Sequence, residues 1–63
     1  MSDEIVEIYG TIIHETKESI LLTDGDIEVW LLLSLIKYDP RCGVGDEVVV
    51  EVPIWLARDK GLI

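Results

Sequence analysis

Ser19-Ile20-Leu21-Leu22-Thr23-Asp24-Gly25-Asp26-Ile27-Glu28-Val29-Trp30-Leu31-Leu32 sets two aliphatic runs on either side of an Asp-Gly pair. Such a pair between apolar runs favours a tight hairpin, because both residues tolerate a positive φ at the turn. The stretch therefore predicts two antiparallel strands, Ser19–Thr23 and Ile27–Leu32, with Ile27, Val29 and Leu31 facing one way. The run from Leu31 to Ile36 is unbroken and apolar, so periodicity alone does not separate strand from helix there. The expected break lies near Leu33, with Ser34-Leu35-Ile36 as a short helical turn.

Working outward, Glu4 to Thr16 carries Ile5, Val6, Ile8, Tyr9, Thr11, Ile12 and Ile13, the β-branched and aromatic types that suit a pleated surface. Its even positions, Val6, Ile8 and Ile12, form the cleaner apolar row. Gly10 in mid-strand suits a bulge or a sharp bend, as small barrels need for closure. Asp39 to Gly45 reads as a loop. Asp46 to Val52 is the last strand, with Val48, Val50 and Val52 on one face and Val49 on the other. Pro53 opens a short final helix, where its missing N–H costs nothing, and Gly61 fits a left-handed C-cap. Helices this short are marginal alone in water, so Ile54, Trp55, Leu56, Leu62 and Ile63 are expected to hold the segment, with Trp55 as the largest packing contribution. The elements add up to one mainly β domain over residues 1–63. The expected architecture is a small SH3-like or OB-like partly open barrel of four to five short strands with a C-terminal helix, its strand order open.

Composition narrows the function. The 63 residues include 24 Ile, Leu or Val and no Phe, and 13 acids against five bases leave a net charge of -8. A chain this short buries only about 60% of its unfolded surface, which leaves little room for an enzyme pocket. The acidic balance disfavours direct binding to nucleic acid or anionic membrane, both of which need a cationic surface. Residues 1–36 hold eight acids and one base, whereas Lys37, Arg41, Arg58 and Lys60 fall in the remainder. Cys42 is the single cysteine. It forms no internal disulfide, and a reducing, cytoplasmic home is the expectation. Met1-Ser2-Asp3-Glu4 is acidic where a signal peptide is basic. The apolar run Ile27–Ile36 is half the length of the roughly 20 residues that span a bilayer.

The segments Val29 to Ile36 and Pro53 to Ile63 resemble parts of a family of small, uncharacterised phage and prophage proteins. Val29-Trp30-Leu31-Leu32-Leu33-Ser34-Leu35-Ile36 is similar to that family's Val-Trp-Leu-Pro-x-Ser-Gln-Ile-like segment. The tail from Pro53 to Ile63 resembles its Pro-x-Trp-Leu-Ala-x-x-Lys-Gly-Leu-Ile ending. Leu32 stands where the family has Pro, Leu33 where it has a base and Leu35 where it has Gln, so a polar edge is here aliphatic. The resemblance implies a viral or prophage context and no activity.

No catalytic, metal or cofactor site is expected. Cys42 and His14, the only histidine, make no nucleophile–base pair with an orienting acid. His14 shares the phase of Val6, Ile8 and Ile12 and reads as a rim residue. Asp24, Asp26 and Glu28 place carboxylates at alternate positions, a spacing that can hold Ca²⁺, but Ile27 and Val29 interrupt the arc, which reads as a solvated hairpin. The informative excess is apolar. Ile13, Leu21, Trp30, Leu33, Leu35 and Val49 lie out of phase with the core rows, and exposed apolar area beyond a core marks protein contact. The expectation is a non-enzymatic, acidic interaction module that forms a homo-oligomer or docks on a protein partner, with Trp30, Leu33, Leu35 and Trp55 as candidate contacts. An acidic mimic of nucleic acid, inhibiting a nucleic-acid enzyme, and an accessory single-strand binder are the alternatives. No small-molecule ligand and no membrane contact are expected.

Overall fold

The computed structural model describes residues 4–63; the acidic leader residues 1–3 lie outside the described residues. The chain runs β1 (Ile5–Glu15), β2 (Ser19–Thr23), β3 (Glu28–Leu32), a 3-10 turn at Leu33–Leu35, β4 (Glu47–Pro53) and α1 (Ile54–Asp59). The strands form one antiparallel sheet in the order β3-β2-β1-β4. The fold is mainly β, as the alternating valines and the hairpin predict.

The sheet curls because the chain forces it to. After β3 the 3-10 turn leads to Lys37, whose N–H and C=O bond Glu51 of β4 at 3.0 and 2.7 Å. In a flat sheet Lys37 would lie four strand spacings from β3, about 19 Å away. Three 3-10 residues at about 2 Å each and two extended steps reach only about 13 Å. The far edges of the sheet must therefore approach each other, giving a partly open barrel. This long-range bridge lies in what the sequence presents as a connection, and nothing local marks it.

Inner-face rows fill the barrel. Val6 pairs with Val52, Ile8 with Val50, Ile12 with Leu22, Ile20 with Leu31 and Leu22 with Val29. Of these, Ile12, Ile20, Leu22, Val50 and Val52 are wholly buried. Gly10 lies one residue before β1 takes up its pairing with β2 while still paired to β4, and a Cβ there would stand 2.5 Å from the Thr23 carbonyl oxygen. Gly10 thus serves the close approach and not the bulge. The bulge falls one turn of the pleat later, where Ile12 faces Leu22 but His14 faces Leu21, leaving Ile13 as the extra residue.

The β2–β3 connection also differs from a two-residue turn. Only Gly25 has a positive φ, 104°. The Asp24 Oδ1 accepts the N–H groups of Asp26 and Ile27 at 2.9 and 3.0 Å, so Asp24 caps a wider loop from a normal conformation. Ile27 joins that loop, and β3 begins at Glu28.

Pro53 is the last residue of β4 and the N-cap of α1, one position earlier than expected. The helix ends in a Schellman motif: Gly61 takes φ 75°, its N–H donates to the Arg58 carbonyl at 3.2 Å, and the Leu62 N–H donates to Ala57 at 2.8 Å. Leu56 and Ala57 are buried and Leu62 packs on the core. Trp55 and Ile63 remain 54% and 59% exposed, so Trp55 is not the packing anchor expected of it. In a helix of six residues only one stripe can face the barrel, and Leu56 and Ala57 occupy it.

Candidate interaction surface

Side chains alternate across each strand, so the residues between the core rows form the outer face of the sheet. One outer row runs across three strands: Trp30 on β3, Leu21 on β2 and His14 on β1. His14 reaches this row because the Ile13 bulge shifts the phase of β1 by one residue. Its imidazole meets the Trp30 indole edge-on, with ring centroids 5.8 Å apart and an interplanar angle of 83°. His14 is therefore an outer-face residue and not a member of the Val6–Ile8–Ile12 row. Trp30 is 44% exposed, and Leu32, next on the same face of β3, is 48% exposed.

The other candidates lie elsewhere. Leu33 is half-buried against the core. Leu35, in the same 3-10 turn, is exposed and lines a shallow groove of about 190 Å³ with Ile5, Ser34, Ile36, Lys37 and Glu51. Trp55 stands on the solvent side of α1. Sequence reasoning missed several exposed apolar residues, among them Tyr9 and Leu32. Tyr9 faces Val49 across β1 and β4, and both line a groove of about 410 Å³ with Gly10, Thr11, Glu47 and Val48. The signal for Tyr9 was its odd phase, opposite to Ile8. Leu32 was hidden in a run that is apolar at every position.

Acids frame this face. Glu7 and Glu51 are directly opposed across β1 and β4. Glu28 and Glu47 end a polar row whose middle members are Thr23 and Thr11, and this row separates Trp30 from Tyr9. The Asp24 carboxylate is committed to its loop, and the N–H groups of Ile27 and Asp26 hold its pKa below the usual carboxylate value. Arg41 forks onto Asp39 through Nε at 3.1 Å and Nη2 at 2.9 Å, which lowers the Asp39 pKa. Tyr38, half-buried, has its phenol pushed up by burial and by the nearby Glu15 and Cys42.

Among the described residues no group of three or more His, Cys, Asp or Glu side chains is placed to hold a metal ion. No helix among them is long and apolar enough to cross a membrane. No family model matches the chain, and no curated protein or solved structure matches it. The functional reading accordingly rests on the outer face itself. What that face offers chemically is apolar contact, with an indole on its edge strand braced by His14 and carboxylates elsewhere on the face.

Proposed function

We propose that this chain is a non-enzymatic, acidic interaction module that associates with itself in a cytoplasmic compartment, with the prophage resemblance supplying its setting. One observation carries the reading. Trp30 is close to half exposed, yet its indole rests edge-on against His14 and is flanked by Leu21 and Leu32. An indole braced before binding loses less side-chain entropy on contact, and Trp is the residue type most enriched at energetic centres of interfaces. Sedimentation equilibrium over a wide concentration range tests the reading. A mass rising above 7.1 kDa supports it; a constant monomer mass, with no partner displacing solvent from Trp30, overturns it.

A second reading has its own support. The facing pair Glu7–Glu51, with Glu47 and Glu28 on the same face, sets carboxylates along the sheet as an acidic mimic of a nucleic-acid backbone would. Binding to a basic nuclease or polymerase, competed by DNA and lost in Glu7→Gln/Glu51→Gln, would select it.

A further inference from the structure

The edge of β3 is a second feature of the same region, and it concerns backbone rather than side chains. Hydrogen bonding to β2 alternates along an antiparallel pair. The Leu33 N–H bonds the Glu18 carbonyl at 2.7 Å, and the Asp24 N–H reaches the Ile27 carbonyl at 3.4 Å. That phase assigns Ile27, Val29, Leu31 and Leu33 to the β2 ladder. Glu28, Trp30 and Leu32 therefore turn their N–H and C=O groups away from β2, toward the edge where the sheet order ends. None of these outward groups has a backbone partner among the described residues.

Natural edge strands are usually protected by Lys, Pro, a bulge or a cover. The β3 sequence Glu28-Val29-Trp30-Leu31-Leu32 has no Lys and no Pro, and its pairing with β2 is free of bulges. The bulge of this sheet lies in β1, an interior strand.

Building on the self-association reading, we propose that β3 pairs antiparallel with β3 of a second copy, about a two-fold axis at Trp30. The edge is self-complementary in that register. Trp30 faces its own copy, and Glu28 of each chain faces Leu32 of the other. Every outward N–H and C=O of Glu28, Trp30 and Leu32 then finds a partner, and the two Glu28 carboxylates stand at opposite ends of the seam. Registers centred on Glu28 or Leu32 leave part of the edge unpaired, and the first opposes the two Glu28 side chains directly. The outer faces of the two sheets become continuous, bringing both Trp30 and both Leu32 side chains to one surface. An isologous two-fold contact of this kind closes on itself and stops at a dimer.

The charge predicts how the dimer answers to salt. Each copy carries -8, so long-range repulsion opposes a contact that is itself apolar and hydrogen-bonded. Raising ionic strength from about 0.01 to about 0.1 M shortens the screening length from about 30 to about 10 Å, and the dimer tightens several-fold. A contact driven by opposite charges would weaken instead.

The test combines sedimentation with amide exchange followed by NMR, at protein concentrations up to about 1 mM, the range of weak association. The expected result is a mass twice the 7.1 kDa chain, with the amides of Glu28, Trp30 and Leu32 protected in proportion to the dimer fraction. Leu32→Lys should return the protein to monomer with its thermal midpoint little changed. Because a substitution can disturb the fold, a synthetic chain N-methylated at the Trp30 amide provides the second arm: it removes one outward donor and no β2–β3 bond. Association that persists in both variants, with the three amides exchanging freely, overturns the edge pairing and leaves self-association standing. A monomer under all conditions overturns both.

Discussion

The imidazole of His14 and the indole of Trp30 meet edge to face at 5.8 Å across two strand boundaries, with Leu21 between them in the cross-strand row. The contact exists because one extra residue, Ile13, shifts the phase of β1. A bulge in an interior strand thus arranges an aromatic pair on the outer surface. Edge-to-face pairs contribute about 0.5–1.5 kcal/mol beyond their buried area. A double-mutant cycle of His14→Ala and Trp30→Ala, read by urea unfolding, should return a coupling energy in that range. Strict additivity would show that the rings touch without mutual stabilisation.

Gly10→Ala should destabilise the barrel by about 1–3 kcal/mol, the usual range for overpacking. Its new methyl would press on the Thr23 carbonyl oxygen at 2.5 Å and on the Leu22 side chain at 3.1 Å. Gly43→Ala is the control, since nothing lies within 4 Å of a Cβ there and its φ is not in the left-handed region. That substitution should be neutral or stabilise by about 0.4–1 kcal/mol through the unfolded chain. Thermal unfolding of the two variants separates steric conflict from a general need for glycine.

The helix should tolerate loss of its tryptophan better than loss of its leucine. Leu56 is 5% exposed and Trp55 54%. Leu56→Ala is expected to cost about 2–5 kcal/mol, a large share of the roughly 3–9 kcal/mol available to a chain of this length. Trp55→Ala should cost about 1 kcal/mol or less, as exposed positions usually do. The reverse order in chemical denaturation would place Trp55, not Leu56, against the barrel.

Asp24 gives the protein an acid-sensitive turn. The N–H groups of Ile27 and Asp26 lower its folded pKa below the ordinary 3.8. The folded state therefore holds fewer protons than the unfolded chain in that region, and the stabilisation, complete above the unfolded pKa, fades as pH falls through the folded one. Asp24→Asn keeps the oxygen acceptor and removes the titration. The stability advantage of the wild type over Asp24→Asn should shrink as pH drops below about 4. A difference independent of pH would mean that the carboxylate charge contributes nothing to the loop.

Much of this architecture is written in local pattern. Val48, Val50 and Val52 alternate with Glu47, Val49 and Glu51, and period two alone puts the first set inside. Asp24-Gly25 marks the hairpin even though the loop built there is wider than the pair suggests. Gly61 marks the helix end. The Ile13 bulge was not legible, because Ile12 and Ile13 are the same residue and either one suits the core. The Lys37–Glu51 bridge depends on a pairing between distant segments, and local propensity carries no record of it. Among the candidate contacts, the exposure of Trp30 follows from being out of phase with Val29 and Leu31, whereas Leu35 shares their odd phase and is exposed because the 3-10 turn ends the alternation. The partial burial of Leu33 continues the phase of Val29 and Leu31, although the strand itself ends at Leu32.

The pairing of Ile5 with Pro53 also sets an order of assembly in time. During synthesis β2 and β3 can close on the C-terminal half of β1 early. The N-terminal half has no partner strand until the chain has been made past residue 53. Until then Val6 and Ile8 wait without Val52 and Val50 opposite them, on a half-paired strand with an open backbone. Long-range pairings of this kind are slow to form, and an incomplete sheet with bare apolar rows is the species most prone to aggregate. The nascent chain, rather than the finished barrel, is therefore the stage at which these apolar rows lie most open to aggregation.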